Sequence, residues 1–160
     1  RYTRRAIVAA MASVAPGTDL LLQGALATAM ARELAVLHRL RVRDLDLDAL
    51  VGEATKVVRT RTGIMLAIAG NALKAFPGLG TLGGGVMHAV AYGLIFDSLG
   101  RAMVKAFAET GRLDRSATLA AFESALRANS GSQIQRIAAL AQQLVRDESA
   151  QTSPRSGASP

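Results

Sequence analysis

The sequence predicts an all-α protein, a bundle of about seven helices built around two helical hairpins that each fold at a Pro-Gly pair. Three observations predict it. Apolar residues recur three and four apart through much of the chain, the period of one helix face. They are chiefly Ala, Leu, Val and Gly, with aromatics at 4%, the vocabulary of helices that approach closely. Pro16-Gly17 and Pro77-Gly78 each stand between two apolar arms. A length of 160 residues gives one domain with tails rather than two full units.

Residues 6–15 read as a short apolar helix that Pro16-Gly17 breaks, since Pro cannot continue a helix and Gly accepts a tight reversal. Thr18 or Asp19 caps the next helix, which runs from about Leu20 to Leu40 and turns charged from Arg32 onward. Arg43-Asp44-Leu45-Asp46 is a connector with a new cap. Residues 47–60 place Leu47, Leu50, Val51, Ala54, Val57 and Val58 on one stripe. Gly63 breaks that pattern, and a separate apolar helix follows from Ile64 to Phe76.

Pro77-Gly78 ends this helix, and Leu79-Gly80-Thr81 leads into a long one over Leu82 to Phe107 that opens on Gly83-Gly84-Gly85. Gly111 stops it. Two amphipathic helices complete the chain, one carrying Leu119, Phe122 and Leu126, the other Ile134, Ile137, Leu140, Ala141 and Leu144. Gly131 separates them. From Ser149 the tail has little to bury and is expected to be disordered. The expected organisation is therefore a duplicated-hairpin domain over 1–110, two packed helices over 111–148, and a tail over 149–160.

Setting Pro16 on Pro77 aligns the two Pro-Gly pairs, Gly24 with Gly85 and Leu26 with Met87, which reads as an internal repeat. The arms before each pair are too short to span a bilayer, which takes about 20 apolar residues. A re-entrant or interfacial hairpin and a soluble core hairpin both remain open. Under the repeat, Asp19 and Lys74 are expected at one end of the bundle. Folding residues 62–97 about Pro77-Gly78 sets Asp97 level with Arg59 and Arg61 for an ion pair.

The net charge of +7 is clumped. Residues 6–31 carry only Asp19, and residues 62–100 only Lys74 and Asp97. Basic residues bracket these stretches at Arg4 and Arg5, at Arg39 and Arg41, and at Arg59 and Arg61, as they flank membrane-proximal helices. Nucleic acid would favour one basic stripe with interleaved aromatics, so it is not an expected partner. Arg4-Arg5 before Ala6-Ile7-Val8-Ala9-Ala10 has the look of an export signal with a cleavage site at Ser13-Val14-Ala15. Pro16 would then open the mature chain, so an internal segment of a longer protein is the preferred reading.

No motif carries a reaction, and the chain reads as non-catalytic, with no cofactor and no metal. Zero cysteines remove disulfides, thiolate metal sites and a Cys nucleophile. Gly78-Leu79-Gly80-Thr81-Leu82-Gly83 matches the dinucleotide fingerprint, but a helix rather than a strand precedes it. Gly80-x-x-x-Gly84 permits close helix packing within its hairpin or between copies in a homo-oligomer. His38 and His88 lack neighbouring ligands; His88, within Val86–Val90, reads as a core or headgroup-level residue. Ser13, Ser98 and Ser116 have no triad context. Asp44, Asp46 and Asp48 are caps and solvated charges.

Ala9–Leu22, with Ala72–Gly85 and the following Ala89-Val90-Ala91-Tyr92-Gly93, resembles the YcjF-type domain, a bacterial family of unknown function. Such domains occur in inner-membrane proteins or C-terminal to Era-like small GTP-binding domains. The resemblance covers about residues 6–110 and rests on the paired Pro-Gly turns. It implies a helical module at the cytoplasmic face of the inner membrane, or in the cytoplasm, that anchors or scaffolds a GTPase domain or partner. The expected membrane or partner contacts are Pro16, Gly17, Asp19, Pro77, Gly78, Gly80, Gly84 and Gly85. The rival expectations are a soluble protein–protein interaction domain and an oligomeric, pore-forming module.

Overall fold

The computed structural model describes residues 1–12, 18–41, 43–73, 84–128 and 131–152. These residues form six α-helices and no strand: α1 (Tyr2–Ala12), α2 (Thr18–Leu37), α3 (Asp44–Leu73), α4 (Gly84–Thr110), α5 (Arg115–Arg127) and α6 (Gly131–Thr152). Pro16, Gly17, Lys74, Pro77, Gly78 and Gly80 lie outside the described residues, and so do both Pro-Gly turns and the fingerprint-like glycines.

The helix count corrects the expectation of about seven. Residues 47–60 and the apolar stretch after Gly63 belong to one 30-residue helix, α3, which passes through Gly52 and Gly63 unbroken. A helical Gly costs roughly 1 kcal/mol relative to Ala, a penalty rather than a stop. Helix is already formed on both sides of Gly63, and extension is far cheaper than nucleation. The same economy carries α6 to Thr152, into the stretch expected to have no structure.

The helix α4 is the centre of the bundle, since it packs on each of the other five helices. From Ala89 to Leu99 it is buried almost all round, only Tyr92 and Asp97 being half exposed. A helix that is apolar on every side belongs inside a structure or in lipid. Here the surrounding helices supply that environment, so much of the uncharged stretch before residue 100 is core. No described helix is long and apolar enough to cross a membrane.

The predicted stripes fill this core. Leu47, Leu50, Val51 and Ala54 of α3 are buried, with Val57 and Val58 packed beside them. Phe122 and Leu126 of α5 and Ile137, Ala141 and Leu144 of α6 are buried as well. The short helix α1 packs more extensively on α4 than on α2. Its Ala6, Ile7 and Ala10 are buried there, and Ile7 reaches Gly93 on α4.

Two connectors meet at one end of the bundle. The last turn of α2 closes with Leu40 N donating to Ala35 O and Arg39 N to Val36 O, both at 2.9 Å. This pair of bonds is the Schellman arrangement, which needs a left-handed residue that is usually Gly. Arg39 takes that position at φ 57°, and Gly111 does the same after α4 at φ 62°. Arg43 O accepts from Asp46 N and Leu47 N to open α3. Asp114 opens α5, its Oδ1 accepting from Ala117 N at 3.0 Å.

Candidate docking surface

Beside this end, α1, α2 and α4 leave a groove of about 540 Å³. It arises because α2 and α4 run side by side in the same direction. Gly100 faces Met30, and further along the His38 and Phe107 rings meet edge to face at 5.8 Å. The first turn of α1 closes only part of the gap. The floor is apolar, with Met30, Leu34 and Phe96.

The rim joins exposed apolar groups to bases. Val36 and Leu37 are 69% and 70% exposed, and Val104 on α4 is 41% exposed. Leu37, Val104, Arg1, Arg101 and Lys105 all line the groove. Its carboxylates are engaged from within. Glu33 accepts from Arg1 Nη1 at 2.8 Å and from the Tyr2 hydroxyl at 2.7 Å. The Tyr2 phenol is held above its ordinary pKa, first by donating to Glu33, then by burial and the charge of that carboxylate. The guanidinium groups of Arg1 and Arg5 lie 5.6 and 5.4 Å from the Tyr2 ring centre, a cation–π distance.

Asp97 corrects an expectation. It pairs with Arg101 Nε at 3.1 Å, one turn along its own helix, and accepts from Gln133 Nε2 of α6. Arg61 instead reaches Glu123 of α5 at 3.8 Å, and Arg59 is exposed. The expected level assumed that α3 packs chiefly along α4, whereas α5 and α6 also pack on both of these helices and supply the nearer partners.

The six basic flanks stand on three different elements. Arg39 and Arg41 stand on the connector after α2, Arg4 and Arg5 on α1, and Arg59 and Arg61 along α3. Asp19, Gly84 and Gly85 lie in the first turns of α2 and α4. Of the two expectations for His88, the core one is corrected, for the residue is exposed, with its ring tilted 6.2 Å from that of Tyr92.

Close packing is found at Gly93, while Gly80 of the expected small-xxx-small pair lies outside the described residues. A Cβ on Gly24 would meet nothing within 4 Å, whereas one on Gly93 would come 2.6 Å from Ile137 Cγ2. The signal for Gly93 was present in Ala89-Val90-Ala91-Tyr92-Gly93, a run of mostly small residues within an apolar helix. The exposed Val36-Leu37 pair was legible only as the end of a periodic pattern. Among the described residues no three His, Asp or Glu side chains gather closely enough to hold a metal ion. No family model, curated protein or solved structure matches this chain.

Proposed function

We propose that the chain is a non-catalytic helical module that docks on the anionic cytoplasmic face of a bacterial inner membrane. There it anchors or scaffolds a small GTPase domain or partner. The observation that carries the docking half is the exposure of Val36, Leu37 and Val104 beside Arg39, Arg41, Arg101 and Lys105. Membrane-surface binding combines buried apolar area with attraction to acidic headgroups. A buried Val or Leu contributes roughly 1.5–3 kcal/mol, and each base near an anionic leaflet about 1 kcal/mol.

The GTPase half rests on the resemblance carried by the Pro-Gly turns. The described ends that flank residues 13–17 and 74–83 belong to α1, α2, α3 and α4. On this reading Pro16, Gly17, Asp19, Pro77, Gly78 and Gly80 form two hairpin tips that meet the partner or lipid, and Gly80-x-x-x-Gly84 offers a homo-oligomeric contact. A soluble interaction domain is the second reading, favoured by the volume of the groove, whose apolar floor suits side chains from a partner helix.

Vesicle co-sedimentation separates the two. The chain should pellet with vesicles containing phosphatidylglycerol and remain in solution with neutral phosphatidylcholine. Leu37→Glu combined with Val104→Glu should abolish pelleting while leaving the helical circular dichroism spectrum intact. Equal pelleting by this variant removes the membrane reading, and no pelleting by the parent chain leaves the soluble one.

A further inference from the structure

Around the corner from the groove, Leu40, Arg41 and Arg43 after α2 and Gly111, Arg112 and Leu113 after α4 line a cleft of about 380 Å³. Three arginines line it: Arg41 and Arg43 from the first connector and Arg112 from the second. One carboxylate lines it too, that of Asp46, and it is already held by Arg43 through two bonds of 3.0 and 3.3 Å. That engagement keeps the Asp46 carboxyl below its ordinary pKa, so it stays an acceptor for Arg43. Asp114 stands nearby but is taken up by capping α5. Among the described residues neither Arg41 nor Arg112 makes an ion pair at 4.0 Å or less, although the charge of Arg112 also acts on Asp114.

We propose that this cleft binds a phosphate group. Guanidinium forks match phosphate oxygens in pairs, and convergence of several at one point favours a doubly charged anion over a carboxylate. The adjoining cleft shares Asp46 and Arg112, but adds Glu53 and Asp114 against Arg115 alone, so it carries an acidic excess rather than a basic one. Leu40 and Leu113 line the cleft beside the arginines. The helix ends beside the cleft are held, since left-handed residues close α2 and α4 and Asp114 caps α5. The cleft shares no lining residue with the groove and only Arg41 with the wider docking surface, so it stands without the membrane reading.

Titration of the full chain with inorganic phosphate, followed by amide shifts in NMR spectra, tests it. Saturable shifts are expected at Gly111, Arg112 and Arg41, beyond those caused by chloride at equal ionic strength. Arg41→Gln with Arg112→Gln should weaken binding at least about tenfold, as loss of two charge-assisted contacts implies. Both side chains are exposed, so the fold should survive. Lys56→Gln with Arg59→Gln removes the same charge from the exposed part of α3 and should leave the affinity unchanged. Shifts that never saturate, or equal losses in both double variants, would overturn the site. Competition by phosphatidate vesicles assigns the phosphate to a lipid headgroup; saturable binding without competition assigns it to a soluble phosphate ester. Leu37→Glu with Val104→Glu should spare inorganic phosphate binding, so failure of the membrane reading remains a separate result.

Discussion

Gly93 and Ile137 meet so closely that α4 and α6 could not pack as they do around any larger residue at position 93. An added Cβ would lie 2.6 Å from Ile137 Cγ2 and 3.1 Å from two carbons of Ile7. Three helices converge there, so neither neighbour can retreat without disturbing another contact. Gly93→Ala should therefore destabilise by about 1–3 kcal/mol despite the better helix propensity of Ala. Ile137→Ala in the same chain should recover part of that loss, giving a favourable coupling in a double-mutant cycle. Urea melts in which Gly93→Ala equals the parent would remove the close approach.

Gly52 and Gly63 should answer in the opposite sense. Both are exposed on α3, and a Cβ at either would meet nothing within 4 Å. Ala then restricts the unfolded chain without straining the folded one. Each substitution is expected to add about 0.4–1 kcal/mol in denaturant melts. A loss at Gly63 would mean that α3 bends there and that the break read from the sequence has a physical basis.

These glycines show where the sequence was legible and where it stopped. Apolar period marked the stripes of α3, α5 and α6 because one-sided burial leaves a one-sided pattern. The central place of α4 left no such pattern. A helix covered all round is uniformly apolar, which a sequence cannot distinguish from a segment beside a membrane. Gly63 and Gly93 are alike as letters, yet one faces solvent and the other a third helix. Arg41 and Arg112 come together only because α2 and α4 end side by side, so no local spacing could announce their cleft. Asp97 was misplaced for the same reason, its partner Gln133 lying on a helix far along the chain.

Tyr2 should make the junction of α1 and α2 sensitive to alkali. Its phenol has a pKa raised above the ordinary 10.0, with the hydrogen bond to Glu33 as the first cause. A group whose folded pKa is raised contributes stability that is complete below the unfolded value and is lost as pH climbs through the folded one. Tyr2→Phe should lower stability by about 0.5–1.5 kcal/mol at pH 7, the net worth of one hydrogen bond. The gap between parent and variant should close above pH 10, as followed by thermal melts. A gap that stays constant to alkaline pH would show that the hydroxyl adds nothing through Glu33.

Asp114 should set part of the acid limit. Its carboxyl sits below the ordinary 3.8, first because Ala117 N donates to it, then because the Ser116 hydroxyl does. A depressed folded pKa gives stability that is present above the unfolded value and is lost as pH falls through the folded one. Asp114→Ala removes the acceptor that starts α5, and with it the turn that aims Phe122 and Leu126 at the core. Its melting temperature should fall below that of the parent at pH 7, and the difference should shrink once pH drops under about 4. Asp114→Asn separates the cap from the charge, because an amide oxygen caps a helix nearly as well but does not titrate. It should retain most of the neutral-pH stability and show a flatter acid limb than the parent. If both variants melt like the parent at pH 7, the start of α5 is held by the packing of Thr118 and Phe122 rather than by its cap.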